Sequence, residues 1–483
     1  MVYHMQSYPK IVLVGLGPFS KRNYFELFKR HQFQPEFIID LESKRSELTR
    51  FLDCNGFQIP FYLIPEEYRD CEILPDQQKR MILQLLKKHD ITHAIVATEP
   101  KAHYAYLDFF IENGIHVQVE KPLTAPEFAS ISMSAAEKIE KDYNTLLQKI
   151  EESPTPNLRI EIQCQRRYHP VYQFIQEQIE SFVREFDVPL TYCDIYHCDG
   201  MWNMPNEFLE RENHPYKYGY GKLLHSGYHF IDLLGVLLKS SFKYCSKTPT
   251  CAEYYGTGFS PLDSLGAVNQ KDYERFFGHK KYAEIFEDPY AFGFSRFGEL
   301  DFFSILQLFQ GDRKLSVCNL NLLQTGFCRR KSSVLPEDTY KNNGRLRHER
   351  LNLQFGPLLN IQVHSYLSQS PNEVSFEDPI SVGHELHFDV MIFRNSDLIG
   401  GKPFEIYHSD DFSSIKNGFN EISRESCFFN FISNEKSLSD LRDHKLSIQL
   451  LSKSLKLLCR DHANQVPIEK FELHPLCEKA VVV

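Results

Sequence analysis

The stretch Lys10-Ile-Val-Leu-Val14-Gly15-Leu-Gly17-Pro-Phe-Ser20 decides the fold. A β-branched apolar run that ends on glycine reads as a buried strand turning sharply into a helix. Gly15 permits the tight turn, and Gly17 lets the backbone approach a pyrophosphate at the helix N-terminus. Ser20 stands where the GxGxxG pattern has its third glycine and is small enough to keep helix and strand close. Asp40 ends the next strand, where a carboxylate accepts hydrogen bonds from an adenosine ribose. It repels a 2′-phosphate and so favours NAD. Lys44 and Arg45 follow closely and are able to hold that phosphate, which leaves NADP open. By itself a two-glycine match is weak, because glycines after a strand more often make a plain turn.

Outward from this unit, strands are expected at Lys10–Val14, Glu36–Asp40, Thr92–Ala97 and Ile115–Val119, with helices over Asp76–His89 and Lys101–Asn113. That alternation builds a parallel sheet covered on both faces. A long helix is expected over Pro126–Glu152 and a short strand at Leu158–Cys164. Beyond residue 165 the period changes. Apolar runs at Leu300–Leu308, Leu315–Leu323 and Leu351–Tyr366 lack regular intervening helices and predict antiparallel strands. Residues 240–299, rich in Gly, Pro, Tyr and Phe, read as a loop-rich insertion, and Leu441–Cys459 carries a helical apolar stripe. The expected architecture is an α/β Rossmann domain over 9–165 and an α+β domain on a large, mostly antiparallel open sheet over 166–435. A C-terminal helix and tail over 436–483 should pack back on the body.

The chain has 483 residues, 42% hydrophobic and 24% charged, enough to bury more than one core. A net charge of −10, with no long basic run, argues against nucleic-acid or anionic-membrane partners and leaves a small molecule. The twelve cysteines, from Cys54 to Cys477, include no CxxC pair and read as reduced and structural. No signal peptide or spanning segment stands out, so a cytoplasmic location is the expectation.

Three further motifs follow in order: Ala97-Thr98-Glu99-Pro100-Lys101-Ala102-His103, Val119-Glu120-Lys121-Pro122-Leu123, and Gly219-Tyr-Gly221-Lys-Leu-Leu-His225-Ser-Gly-Tyr-His229-Phe-Ile-Asp232. Gln165-Arg166-Arg167-Tyr168-His169-Pro170 lies at the domain junction. Together with the glycine turn these resemble the glucose–fructose oxidoreductase, inositol dehydrogenase and MocA family, over about residues 9–240 and more generally beyond. The resemblance implies a cofactor set of Gly15, Gly17, Phe19, Ser20, Asp40, Lys44, Arg45, Thr98, Pro100, His103, Glu120 and Lys121. It also implies that Lys121 polarises a substrate oxygen while His229 acts as general acid and base, with His225 beside it. Many members carry Asp where this chain has His225. Asp232, one turn beyond His229, is a possible substitute for that carboxylate.

Arg167, Trp202, Tyr220, His225, His229 and Asp232 are the expected substrate contacts, each with a plainer reading beside it. Arg166 and Arg167 fit salt bridges at the junction equally well, Trp202 fits a core as well as a sugar, and His229 fits a satisfied core histidine. The histidine pair fits a metal, although no third ligand is evident, and no metal is expected. The basic segment Arg345–Arg350 suggests a bulky or acidic substrate or a solvated loop. The function implied is NAD(P)-dependent alcohol–ketone interconversion on a sugar, cyclitol or sugar-derived metabolite, in a homodimer or homotetramer. A non-catalytic dinucleotide sensor of the same fold, or a glycoside-modifying enzyme using transient oxidation, competes with it.

Overall fold

In the computed structural model, residues 8–212, 214–334, 344–368, 386–412, 419–433, 435–474 and 476 are described. Cys477 and the end of the expected tail, 477–483, lie outside them. The chain divides into two compact units.

The first unit comprises Met1–Pro126, Lys138–His169 and Phe419–Ile448. Its six strands are β1 (Ile11–Val14), β2 (Phe37–Leu41), β3 (Phe61–Ile64), β4 (His93–Val96), β5 (His116–Val119) and β6 (Ile160–Ile162). All pair in parallel, in the order β3-β2-β1-β4-β5-β6. Every residue of β1 is buried, as a strand covered on both faces requires. Because β1 lies between β2 and β4, its C-terminal end is the point where strand order reverses, where such sheets bind ligands.

Two boundaries differ from the sequence expectation. The helix expected from Pro126 begins at Met133, because Phe128 takes φ +60° and breaks the run. The helix Phe419–Ile432, expected in the second domain, belongs to the first unit. Its Phe428, Phe429, Phe431 and Ile432 join Leu13, Phe25 and Phe28 in one buried cluster. Such aromatic burial contributes roughly 1.5–3 kcal/mol per side chain.

The second unit comprises Glu127–Glu137, Pro170–Gly418 and Gln449–Val483. Its sheet contains β7 (Tyr192–Cys198), β8 (Cys251–Phe259), β9 (Asp301–Gln310), β10 (Arg313–Leu323), β11 (Leu346–Phe355), β12 (Leu359–Ser368), β13 (Leu386–Arg394), β14 (Phe404–Tyr407) and β15 (Ile468–Glu472). The order is β14-β13-β12-β11-β7-β10-β9-β8-β15. Only β7 and β10 pair in parallel; the other pairs are antiparallel. Buried and half-exposed residues alternate along β9 to β11, so one face is covered and the other is open. Helix Tyr228–Phe242 packs on β7 and on helix Pro170–Phe186.

The apolar run Leu351–Tyr366 is a hairpin, turning at Gly356 with φ +51°. Residues 240–299 hold more order than expected: β8 is a full sheet strand, disguised by Gly256 and Gly258, whose missing side chains make room for Phe302, Leu457 and Leu458. Three short helices follow, at Pro261–Ala267, Gln270–Phe277 and Ala283–Glu287. Arg345 is not a solvated charge either. It is 1% exposed and leads directly into β11.

Candidate active site

The glycine turn is built for close backbone approach. Gly15 adopts φ +90°, and a Cβ there would stand 2.8 Å from the Ala97 carbonyl oxygen, so only glycine fits. Ser20 Oγ donates to the Gly15 carbonyl oxygen at 2.7 Å and closes the turn. Gly17 is the N-cap of helix Pro18–His31; it offers no side-chain cap, and nothing lies within 4 Å of where its Cβ would be. The positive end of the helix dipole therefore faces open space with no acidic residue in the first turn, a cradle that suits a diphosphate.

Asp40 turns back onto that cradle. Its Oδ2 accepts the Leu16 amide at 2.8 Å and its Oδ1 accepts the Leu41 amide at 2.7 Å. Burial raises its pKa, with both amide bonds opposing. Lys44 Nζ lies 3.1 Å from Glu47, which also bonds Lys21, so two nearby cations are engaged with one carboxylate. Arg45 is exposed at the next helix start, and Phe19 is half-buried with its ring edge-on to Tyr24.

At the ends of β4 and β5, His103 is fully buried. Its Nδ1 lies 3.0 Å from the Pro122 carbonyl oxygen and its Nε2 lies 3.2 Å from that of Thr98. Burial pushes its pKa down to about 4, so the neutral ring donates to one carbonyl at a time. A cofactor does not reach this side chain; it frames Thr98 and Pro122 from below, while Pro100 opens a short turn before it. Glu120 is buried and accepts the Tyr24 hydroxyl at 2.7 Å. Burial lifts its pKa to about 7, with the Tyr24 bond and Lys121 opposing. Lys121 itself is half-buried at the strand end.

In the second unit, the glycine-rich motif forms a π-turn, Leu223–Gly227, that runs into helix Tyr228–Phe242. His225 lies within this wider turn and His229 in the first turn of the helix that follows, so the two stand on a π-to-α junction rather than on a regular helix. His225 is 5% exposed and packs beside His214 and Tyr216, whereas His229 is half-exposed.

Lys222, just before the turn, is fully buried. Its Nζ donates to Asp199 Oδ2 at 2.5 Å and to His197 Nδ1 at 2.9 Å. Arg345 bonds the other Asp199 oxygen and, through Nε, its carbonyl at 2.8 Å. Burial alone would raise Asp199, but Lys222 and Arg345 hold its carboxyl well below the usual range. Glu299 accepts the Leu223 amide at 2.7 Å, and burial lifts its pKa to about 7.

Several expected substrate contacts have structural occupations instead. Arg167 Nη1 donates to the Leu438 carbonyl at 3.0 Å and Nη2 to that of Asp443 at 3.3 Å, from a site 7% exposed within the first unit. Trp202 packs among Tyr273, Phe276 and Phe277, with Nε1 donating to the Tyr273 hydroxyl at 3.1 Å. Asp232 is 0% and Tyr220 2% exposed, so neither presents a surface to a ligand. Sequence reading missed Asp199, His197 and Glu299, which lie outside the motif, and passed over Lys222 within it. The signal available was a lysine amid glycines and leucines, an expensive residue to bury without a partner. Among the described residues, no group of three His, Cys, Asp or Glu side chains is arranged to hold a metal ion, and no helix is long and apolar enough to cross a membrane.

Residues 9–144 match the family GFO_IDH_MocA, described as an oxidoreductase family with an NAD-binding Rossmann fold. No curated protein matches the chain in sequence. Solved structures match over nearly its whole length. The WlbA dehydrogenase from Bordetella pertussis, in complex with NADH and UDP-GlcNAcA, is 13% identical with a TM-score of 0.54, covering 97% of this chain and 99% of that one. The aldose–aldose oxidoreductase from Caulobacter crescentus, complexed with glycerol, is 11% identical with a TM-score of 0.52, covering 97% and 100%. KijD10, a 3-ketoreductase from Actinomadura kijaniata with NADP and TDP-benzene, is 11% identical with a TM-score of 0.52, covering 92% and 96%. At such identities these likenesses carry the fold, while the match at residues 9–144 is to the NAD-binding Rossmann domain of an oxidoreductase family, and the chain is an NAD(P)-dependent oxidoreductase.

Proposed function

We propose that the chain interconverts an alcohol and a ketone on a sugar, cyclitol or sugar-derived metabolite, with NAD preferred over NADP. The observation that carries this reading is the frame at the ends of β4 and β5. His103 grips the Pro122 carbonyl beneath a half-buried Lys121, next to a glycine turn only a backbone can occupy. Solved proteins of like fold bear names from sugar chemistry: a dehydrogenase with UDP-GlcNAcA, a 3-ketoreductase and an aldose–aldose oxidoreductase.

A bound nicotinamide supplies or accepts the hydride. Gly15, Gly17 and Ser20 would hold the diphosphate and Asp40 the adenosine ribose. Lys121 places an ammonium at the substrate oxygen, polarising a carbonyl or stabilising an alkoxide. His229 takes the hydroxyl proton on oxidation and returns it on reduction. His225 stands where the resemblance places a carboxylate beside that imidazole.

A homo-oligomer in the cytoplasm completes the proposal. The open face of the second sheet carries two exposed apolar pairs, Tyr255 with Ile305 on β8 and β9 and Phe393 with Phe404 on β13 and β14, which a second copy would cover. The test of function is NADH oxidation across a panel of keto-sugars, nucleotide-linked and free, and keto-inositols. Turnover of one of them is expected. NADH binding with no turnover on any would favour the sensor.

A further inference from the structure

Beneath the histidine motif lies a charged cluster that the proposed chemistry does not use. The π-turn Leu223–Gly227 is closed by the Gly227 amide donating to the Lys222 carbonyl oxygen at 2.8 Å. A Cβ on Gly227 would stand 2.6 Å from that oxygen, so glycine is required for the wide turn to close. Lys222 thus begins the turn, and its fully buried side chain reaches Asp199 just beyond the end of β7. Ser226, inside the turn, donates its hydroxyl to the same carboxylate oxygen, Asp199 Oδ2, at 2.6 Å.

One carboxylate therefore grips both arms of the turn. Asp199 is itself fixed, since Arg345 bonds both its side chain and its carbonyl from the start of β11. A second link runs through His197, which accepts from Lys222 and stacks on Phe230 at 4.0 Å between ring centroids, one residue beyond His229. Buried ion pairs are weak sources of stability, because desolvation offsets the attraction. What such a cluster does supply is a fixed geometry, and π-turns are frequent where a helix carries function.

We propose that Lys222 and Ser226 are positioning residues for His229: through the single carboxylate of Asp199 they clamp the π-turn that sets the direction of the imidazole. This rests on the function proposed above only for the role of His229. The clamp acts from beneath the turn, on the backbone that carries His229. The lysine pays for itself in alignment, which a hydrophobic replacement of equal volume would not provide.

The test is an NMR titration of the full-length protein with histidine Cε1 labelled, the His229 signal being assigned by its loss in His229→Asn. Ser226→Ala and Lys222→Met are each expected to move the His229 titration by on the order of half a pH unit. Exposed His462 should titrate as before, and Lys222→Arg, which keeps a cation able to reach both partners, should return His229 towards the wild-type midpoint. In turnover, kcat should fall about tenfold with KM for NADH unchanged. Should Lys222→Met fail to fold, Ser226→Ala still decides, since it removes one half-buried hydroxyl. A His229 titration identical to wild type in Ser226→Ala overturns the clamp. Because the titration needs no substrate, a shifted His229 in a protein that turns over nothing upholds the clamp while removing the proposed function.

Discussion

The ring of His103 hydrogen-bonds the carbonyl oxygen of Pro122 at 3.0 Å, and its other nitrogen faces that of Thr98 at 3.2 Å. A single buried side chain thereby ties the ends of two neighbouring parallel strands. His103→Phe keeps the volume but leaves those carbonyls without the ring donor, and stability should fall by about 1–3 kcal/mol in denaturant unfolding. The loss should depend on pH. The folded protein holds this imidazole neutral down to about 4, while the unfolded chain binds a proton near 6.5. The wild-type ring therefore costs stability as pH falls from 6.5 towards 4, and the gap between wild type and His103→Phe should narrow over that window. A constant gap would contradict the assignment.

Gly15 and Gly17 separate two roles that a motif match merges. Gly15→Ala strains a positive φ and meets the Ala97 carbonyl, so both thermal stability and NADH binding should drop. Gly17→Ala meets nothing in the protein and should leave the melting temperature within the ordinary range of surface substitutions. Its NADH affinity, read by fluorescence titration, should nonetheless fall about tenfold or more, because the added methyl occupies the diphosphate's approach.

Asp40 should set cofactor preference. With Lys44 and Lys21 both bonded to Glu47, the 2′-phosphate of NADP would meet the Asp40 carboxylate with exposed Arg45 as the cation left to offset it. NADH should bind at least about tenfold tighter than NADPH, a difference of roughly 1.4 kcal/mol. Asp40→Ala should shrink that ratio. An equal affinity of the wild type for both cofactors would refute this.

Glu299 tests the electrostatics beneath the histidine turn. Its folded pKa of about 7 lies above the ordinary 4.5, so the folded state keeps a proton that the unfolded chain has released. Its contribution to stability is present at low pH and is lost as pH rises from 4.5 to 7. Relative to wild type, Glu299→Gln should therefore become more stable on going from pH 5 to pH 8, as measured by melting temperature. A difference unchanged with pH would sink the prediction.

Much of this architecture was legible because period and punctuation agree in the first unit. Buried β-branched runs, each followed by glycine or proline, marked β1, β4 and β5 within a residue or two. The second sheet was harder to read. β8 hides two glycines that exist only to admit Phe302 and the leucines of a distant helix, a fact of tertiary packing. Helix Phe419–Ile432 read as second-domain chain, since nothing local to it announces that its phenylalanines finish the first core. The candidate site divides the same way. Gly15, Asp40, Lys121 and His229 stand in contiguous motifs, whereas the Asp199–Lys222–Arg345 cluster is assembled from segments far apart in sequence. Trp202 and Arg167 were chosen by residue type, and their aromatic and carbonyl partners explain them without a substrate.

The most direct test sets binding against turnover in Lys121→Ala and His229→Asn, using whichever keto-sugar the wild type reduces. If an ammonium and an imidazole carry the polar half of hydride transfer, kcat should fall by about 100- to 10,000-fold in both variants, while His229→Asn binds NADH with near wild-type affinity. Wild-type kcat in either variant would contradict the account.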